Sequence, residues 1–361
     1  MRAQPTRIVT LDSLRGVLAL YVVAYHFLSA FPVLQRAITN HTILMSHGDF
    51  AVDCFFALSG FVMAYVYGAA FSESTTPRVV RSFFVARFAR LYPIQLFTFL
   101  VVLAWFLWVF GRRGIWGPFS NLDGRYSWLA AIANLLFLQG PWIDHRTWNY
   151  PSWSLSAEWH AYLLFPLFLR LARALRWRKV AALAAALIPV VLYFYSGREY
   201  NVATNGPISL LRVLPLFFLG ILVFDISDES WTKSRSVLLI GTVGTMMLLL
   251  IPGAWRFLPL STPFLILAAI GRDNGFMRVL TTPVLVWLGA QSYSLYMTHA
   301  VIQIVVLSTI ANDAGLDLAG LSRMWSVVGL AACLLLSIVT AAWMRAHIEE
   351  PLRHAIRRNI S

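Results

Sequence analysis

The sequence predicts an all-α polytopic membrane protein with about ten transmembrane helices, one short re-entrant or interfacial helix, and both termini in the cytoplasm. Three observations carry this prediction. The 361-residue chain is 59% hydrophobic and 12% charged, whereas a soluble domain carries roughly 25% charged residues because its surface must face water. Its apolar residues are gathered into runs close to the ~20 residues that a helix needs to cross the hydrocarbon core. Its basic residues fall between those runs in an order that orients them. The net charge of +13 then reads as the positive-inside bias of cytoplasmic loops and not as a nucleic-acid surface. Cys54 and Cys333 lie in separate apolar runs, so no disulfide framework is expected.

In chain order, the candidate spans are 11–31, 49–70, 91–110, 153–172, 180–196, 207–224, 237–251, 255–271, 283–310 and 324–345. No small-residue cleavage site follows the first run, so it is expected to remain as a helix. Arg2 and Arg7 place the N-terminus inside, and Arg78, Arg81, Arg87 and Arg90 place the 71–90 loop inside. The stretch from Arg170 to Lys179 falls inside only if the shorter run 127–140 does not cross. With that run re-entrant or interfacial, Lys233 and Arg235, Arg272 and Arg278, and the arginines from Arg345 to Arg358 also face the cytoplasm. Residues 1–361 form a single domain in this reading.

Ionisable residues inside a bilayer are costly and rarely face lipid, which makes each one a functional candidate. Arg15 and His26 are eleven residues apart in the first span. On a helix that is about 20° past three full turns, so both lie on one face, roughly 16 Å apart along the axis. Arg15 near the cytoplasmic end suits a phosphate, because guanidinium offers a bidentate fork. His26, in the outer half, suits general-base work. The structural alternatives are a snorkelling Arg15 paired with Asp12 and a His26 that bridges helices. The topology also predicts that Asp53, Glu158 and His299 reach the depth of His26. Glu158 is then placed to orient His26 as the acid of a triad does, or else to cap its own helix. Asp53 has the same two options, catalysis or pairing with a neighbouring helix. Arg81, Arg87 and Arg90 form either a cytoplasmic anion site for a phosphorylated donor or a topogenic cluster at the headgroups. Tyr293, Tyr296 and His299 recur at i, i+3, i+6 and line a cavity or simply pack. No zinc spacing, phosphate-binding glycine loop or Gly-x-Ser-x-Gly elbow occurs, so no metal is expected.

Several of these residues fall in motifs whose order resembles the acyltransferase-3 family of membrane acyltransferases. They are Leu11-Asp12-Ser13-Leu14-Arg15-Gly16 followed by Tyr25-His26; Asp53-Cys54-Phe55-Phe56-Ala57-Leu58-Ser59-Gly60-Phe61; Arg87-Phe88-Ala89-Arg90-Leu91-Tyr92-Pro93; Trp153-Ser154-Leu155-Ser156-Ala157-Glu158; Tyr293-Ser294-Leu295-Tyr296-Met297-Thr298-His299; and Ile348-Glu349-Glu350-Pro351-Leu352. Trp159-His160 departs from the polar pair that many members carry there. The resemblance spans essentially the whole chain. It implies about ten helices in a bacterial inner membrane and transfer of an acyl group, usually acetyl, from cytoplasmic acyl-CoA to a carbohydrate or glycolipid hydroxyl made at the envelope. An esterase-like soluble domain, fused to some members, is not expected here, so onward transfer calls for a separate envelope-assembly partner.

Together these readings give an O-acyltransferase. Donor phosphates bind Arg15, Arg87, Arg90 and Arg81, and His26 with Glu158 or Asp53 performs the chemistry. Trp153, Ser154, Tyr293, Tyr296 and His299 line the substrate site. The alternative is a transporter that uses the same intramembrane charges as a pathway.

Overall fold

The computed structural model describes residues 7–73, 75–112, 114, 124–195, 205–271, 274–313, 315 and 317–360. All regular structure among them is helical, with no strand. Arg2 and Arg272 lie outside the described residues. In chain order the helices are α1 (Val9–Leu28), α2 (Pro32–Thr39), α3 (Phe50–Glu73), α4 (Pro77–Arg112), α5 (Trp128–Leu135), α6 (Ser152–Ala174), α7 (Arg178–Tyr195), α8 (Ile208–Ile226), α9 (Arg235–Leu250), α10 (Ala254–Ile270), α11 (Gly275–Leu280), α12 (Pro283–Ala311) and α13 (Arg323–Arg358). Among the described residues, seven helices are long and apolar enough to cross a membrane: α1, α3, α4, α7, α8, α12 and α13. Helix α6 is 23 residues long but carries Glu158, His160, Arg170 and Arg173. Helices α9 and α10 are apolar and shorter. The chain is a multi-pass membrane protein.

Two helices extend well beyond the apolar runs that announce them. Helix α4 starts at Pro77 and runs for 36 residues, so Arg78, Arg81, Arg87 and Arg90 stand on the same rigid rod as the span they precede. Helix α13 also runs for 36 residues. A π turn at Arg345–Glu349 joins its apolar part to its basic end, which packs against α4. Polar residues continue each helix past its apolar run because arginine is a strong helix former.

The run 127–140 forms only the eight-residue α5, capped by Ser127 through the amide of Ala130. Eight residues rise about 12 Å, far short of the ~30 Å hydrocarbon core. Phe137 then takes a positive φ of 57°, and the chain stays irregular to Pro151. Irregular backbone is tolerated at membrane depth only where protein groups satisfy it, and the serines of α6 do so. Ser156 Oγ donates to the Phe137 carbonyl at 2.6 Å and accepts from the Gly140 amide at 3.2 Å. Gln139 Nε2 donates to the Ser152 carbonyl at 3.0 Å. Asn149 Nδ2 donates to Thr98 Oγ1 at 3.0 Å and to the Met297 carbonyl at 3.2 Å, tying this segment to α4 and α12.

Two helix pairs cross at glycines. Gly16 of α1 lies against Gly289 of α12, and Gly60 of α3 lies against Gly220 of α8; a Cβ at any of the four would collide with the partner backbone. Without a hydrophobic force between helices in lipid, such close approach lets van der Waals packing hold the bundle. The first crossing sets α12 directly beside the face of α1 that carries Arg15 and His26.

Candidate active site

At the C-terminal end of α1, on that face, the His26 ring stacks on the ring of His299, with centroids 5.0 Å apart and planes at 20°. Tyr150 presents its ring edge to both imidazoles, at 5.3 Å and 5.9 Å. His299 is fully buried. Its Nδ1 lies 2.6 Å from the Tyr296 carbonyl, an acceptor, so Nδ1 carries the proton and Nε2 offers its lone pair. The Tyr150 hydroxyl sits 3.4 Å from that Nε2 while donating to Gln303 Oε1 at 2.7 Å. Gln303 Nε2 in turn donates to the His26 carbonyl at 3.3 Å. Gln303 belongs to a π turn, Ile302–Leu307, a distortion often found at functional sites. His26 Nδ1 is buried and faces the Val22 carbonyl, short of hydrogen-bond geometry.

Toward the N-terminal end of α1, Arg15, Glu158, Ser154, Tyr293 and Tyr296 share one cleft with Phe55 and Phe56. Glu158 accepts from Ser59 at 2.5 Å and from Tyr162 at 2.6 Å and lies within electrostatic range of Arg15. The Ser154 and Tyr296 hydroxyls meet at 2.9 Å near the Pro151 carbonyl. The cleft therefore runs from Arg15 up to Tyr296, one helical turn below His299.

This arrangement divides the group expected at one depth. His299 reaches His26, but Glu158 sits at the Arg15 end. Trp148 and Asn149, just before α6, are already buried in the protein, so Tyr150 takes the level of His26. Glu158, eight residues further along, lies about 12 Å deeper. Asp53 also meets other partners. It is buried, accepts from Arg212 Nε at 2.6 Å and from the Tyr193 hydroxyl, and so ties α3 to α7 and α8. The Arg212 guanidinium lies between Trp153 and Tyr193, 5.5 Å and 5.7 Å from the ring centroids. Trp153 thus belongs to this ion-pair cluster. The expectation that Glu158 or Asp53 orients His26 is replaced by contacts from Tyr150, His299 and Gln303. Tyr150 lies just before the motif that opens at Trp153, but Gln303 had no signal, because a π turn leaves no mark in the hydropathy pattern.

Of the α4 arginines, Arg87 is buried against Tyr67, donating to its hydroxyl at 3.0 Å, with its guanidinium 5.2 Å from the ring centroid. Arg90 lies 3.7 Å from Glu349 and 5.7 Å from the Tyr293 ring centroid. Arg81 is exposed near the start of α4.

The sequence from residue 8 to residue 343 matches a family model described as an acyltransferase domain. The chain belongs to the acyltransferase-3 family. It is similar to the acyltransferase MdmB of Streptomyces mycarofaciens, 30% identical over 98% of this chain and 94% of that protein. It also resembles the O-acetyltransferase OatA of Staphylococcus aureus, 24% identical over 84% of this chain and 52% of that longer protein. A third relative, protein 2 in the picA locus of Rhizobium radiobacter, is 34% identical over 44% of this chain and 80% of that protein. No solved structure matches the chain.

This acyltransferase is an enzyme, which sets aside the transporter reading. Acyl transfer to a hydroxyl needs a base for the hydroxyl proton and a way to hold the donor. His26 and Arg15, aligned on one face of α1, are groups of those two kinds.

Proposed function

We propose that this acyltransferase moves an acyl group, most simply acetyl, from cytoplasmic acyl-CoA to a hydroxyl of an envelope or secreted carbohydrate or glycolipid. The observation that carries this reading is the cleft from Arg15 and Glu158 to Tyr296, which ends just below the His26–His299 stack. Ten helices cross a bacterial inner membrane: the seven long apolar ones with α6, α9 and α10. Both termini lie in the cytoplasm. Arg15, Arg90, Arg87 and Arg81 then gather at the inner face to meet the donor phosphates. The roughly 16 Å between Arg15 and His26 matches the reach of a pantetheine arm.

The free space in the cleft is about 40 Å³, room for a water or two. The arm therefore enters by displacing Phe55, Tyr293 and Tyr296 side chains. His26 removes the proton from the acceptor hydroxyl as its oxygen attacks the thioester carbonyl. The carbon–sulfur bond breaks, and the CoA thiolate leaves and takes up the proton. In a two-step variant, His26 first accepts the acyl group and then passes it on. His299 holds the His26 ring in place, and Ser154 and Tyr296 meet the thioester end.

The test is transfer from radiolabelled acetyl-CoA in membranes containing the wild-type chain or His26→Ala. Loss of a general base costs about 10²–10⁴-fold. Undiminished acetylation by His26→Ala would rule out the assignment. Label trapped on the protein selects the two-step route.

A further inference from the structure

The last turns of α13 lie beyond the matched family region and have no role in the reading above. Arg353 and Arg357 stand there at i, i+4, on one helix face. The Nε atoms of both are buried and have no hydrogen-bond partner among the described residues. Arg353 is within electrostatic range of Arg90 and Arg357, and Arg90 is within range of Arg15 in the cleft. The four arginines thus succeed one another, each within electrostatic range of the next, from the cleft toward the end of α13, where that helix end packs against α4.

The nearby carboxylates offset these arginines only in part, since Glu349 and Glu350 lie within electrostatic range of Arg353 but make their closest contacts elsewhere. Glu349 is buried, accepts from Ser294 Oγ at 2.7 Å and faces Arg90. Glu350 accepts from Arg345 Nη2 at 2.6 Å. Asp12 is paired with Arg7, and Glu158 with Ser59 and Tyr162. Neither Arg353 nor Arg357 has a hydrogen-bonded carboxylate among the described residues. Burying an Nε–H donor without a partner is costly, so these two donors point to an anion with several acceptor oxygens.

We infer that Arg353 and Arg357 complete a phosphate-ester site with Arg90 at the inner mouth of the cleft, occupied by the phosphate-bearing end of the acyl donor. This rests on the acyl-CoA reading and extends it to residues that the family motifs do not contain. Arg15 and Arg90 hold the phosphates nearest the pantetheine arm, and Arg353 and Arg357 hold the outermost one. The π turn at Arg345–Glu349 sets the angle at which the basic helix end meets α4.

Membrane phospholipid headgroups offer the same chemistry, so the experiment separates the two sources. The full chain is placed in nanodiscs of phosphatidylcholine alone, or with added phosphatidylglycerol, and binding of acetyl-CoA and S-acetylpantetheine is measured by calorimetry. In the double variant Arg353→Gln, Arg357→Gln, acetyl-CoA should bind about tenfold or more weakly, the scale of lost charge-assisted bonds. S-acetylpantetheine, which lacks the phosphates, should bind as to wild type, and Arg358→Gln should change neither. A double variant that binds acetyl-CoA within twofold of wild type overturns the site. So does a loss confined to discs containing phosphatidylglycerol, which assigns the arginines to lipid. If the Gln variant does not fold, the Arg353→Lys, Arg357→Lys variant keeps the charge and must still lose affinity, because the fork is gone. A wild-type chain that binds no acetyl-CoA sinks the donor reading itself, a result distinct from unchanged binding by the variant alone.

Discussion

His26 stacks on a second imidazole that is already committed, since the Nδ1 proton of His299 is tied to the Tyr296 carbonyl. Beyond the stack, His26 meets the ring of Tyr150, whose hydroxyl faces both His299 and Gln303. Tyr150→Phe keeps the ring edge and removes only the hydroxyl. Transfer should fall by about tenfold, the scale of one lost hydrogen bond, while the melting temperature stays close to wild type. Asp53 should behave in the opposite way. Its removal takes from the fully buried Arg212 its hydrogen-bonded carboxylate, and breaking a buried pair costs about 3–5 kcal/mol. Asp53→Ala should therefore lower the melting temperature sharply in detergent, and Asp53→Ala with Arg212→Met should restore most of it. A double variant that is stable but inactive would instead give Asp53 a direct part in the chemistry. The sequence showed that Asp53 is an intramembrane carboxylate. It did not show which of two roles it fills, because its partner lies 159 residues away.

Among the elements, the glycine crossings decide which helix faces meet. Gly60→Leu or Gly220→Leu drives a side chain into backbone across the α3–α8 contact. Each should cost about 1–3 kcal/mol or more, read as a lower melting temperature and aggregation on size-exclusion chromatography. Gly114, with open space around its Cβ position but a positive φ of 66°, is the contrasting site: substitution there strains only the local backbone. The extended rods α4 and α13 make a second point at this scale. Hydropathy finds the part of a helix inside the bilayer, and it stops where arginines begin. Helix formation does not stop there, so the basic ends that bring Arg90 and Arg353 together were invisible to a reading based on apolar runs.

For the molecule as a whole, a ten-span topology with both termini inside makes a labelling prediction. Asp144 is exposed in the segment before α6, and Lys233 is exposed between α8 and α9. A cysteine at Asp144 should react with an impermeant maleimide added to intact cells. A cysteine at Lys233 should react only after permeabilisation. Cys54 and Cys333 are buried and should stay silent. Reaction at Lys233 in intact cells would overturn the proposed orientation of α9 and every span after it.

The sequence alone determined the class of molecule and the first helix. Composition reports how much surface faces lipid, and the eleven-residue spacing of Arg15 and His26 places both on one face because helix geometry is local. The tertiary structure decided who stands opposite them. Arg15 faces Glu158 because an irregular segment, satisfied by the serines of α6, enters the bundle before that helix begins and lowers Glu158 by about two turns. His26 faces His299, Tyr150 and Gln303 because Gly16 and Gly289 let α1 and α12 touch and a π turn re-aims Gln303. Depth and rotation depend on contacts between residues far apart in the chain, and hydropathy does not record them.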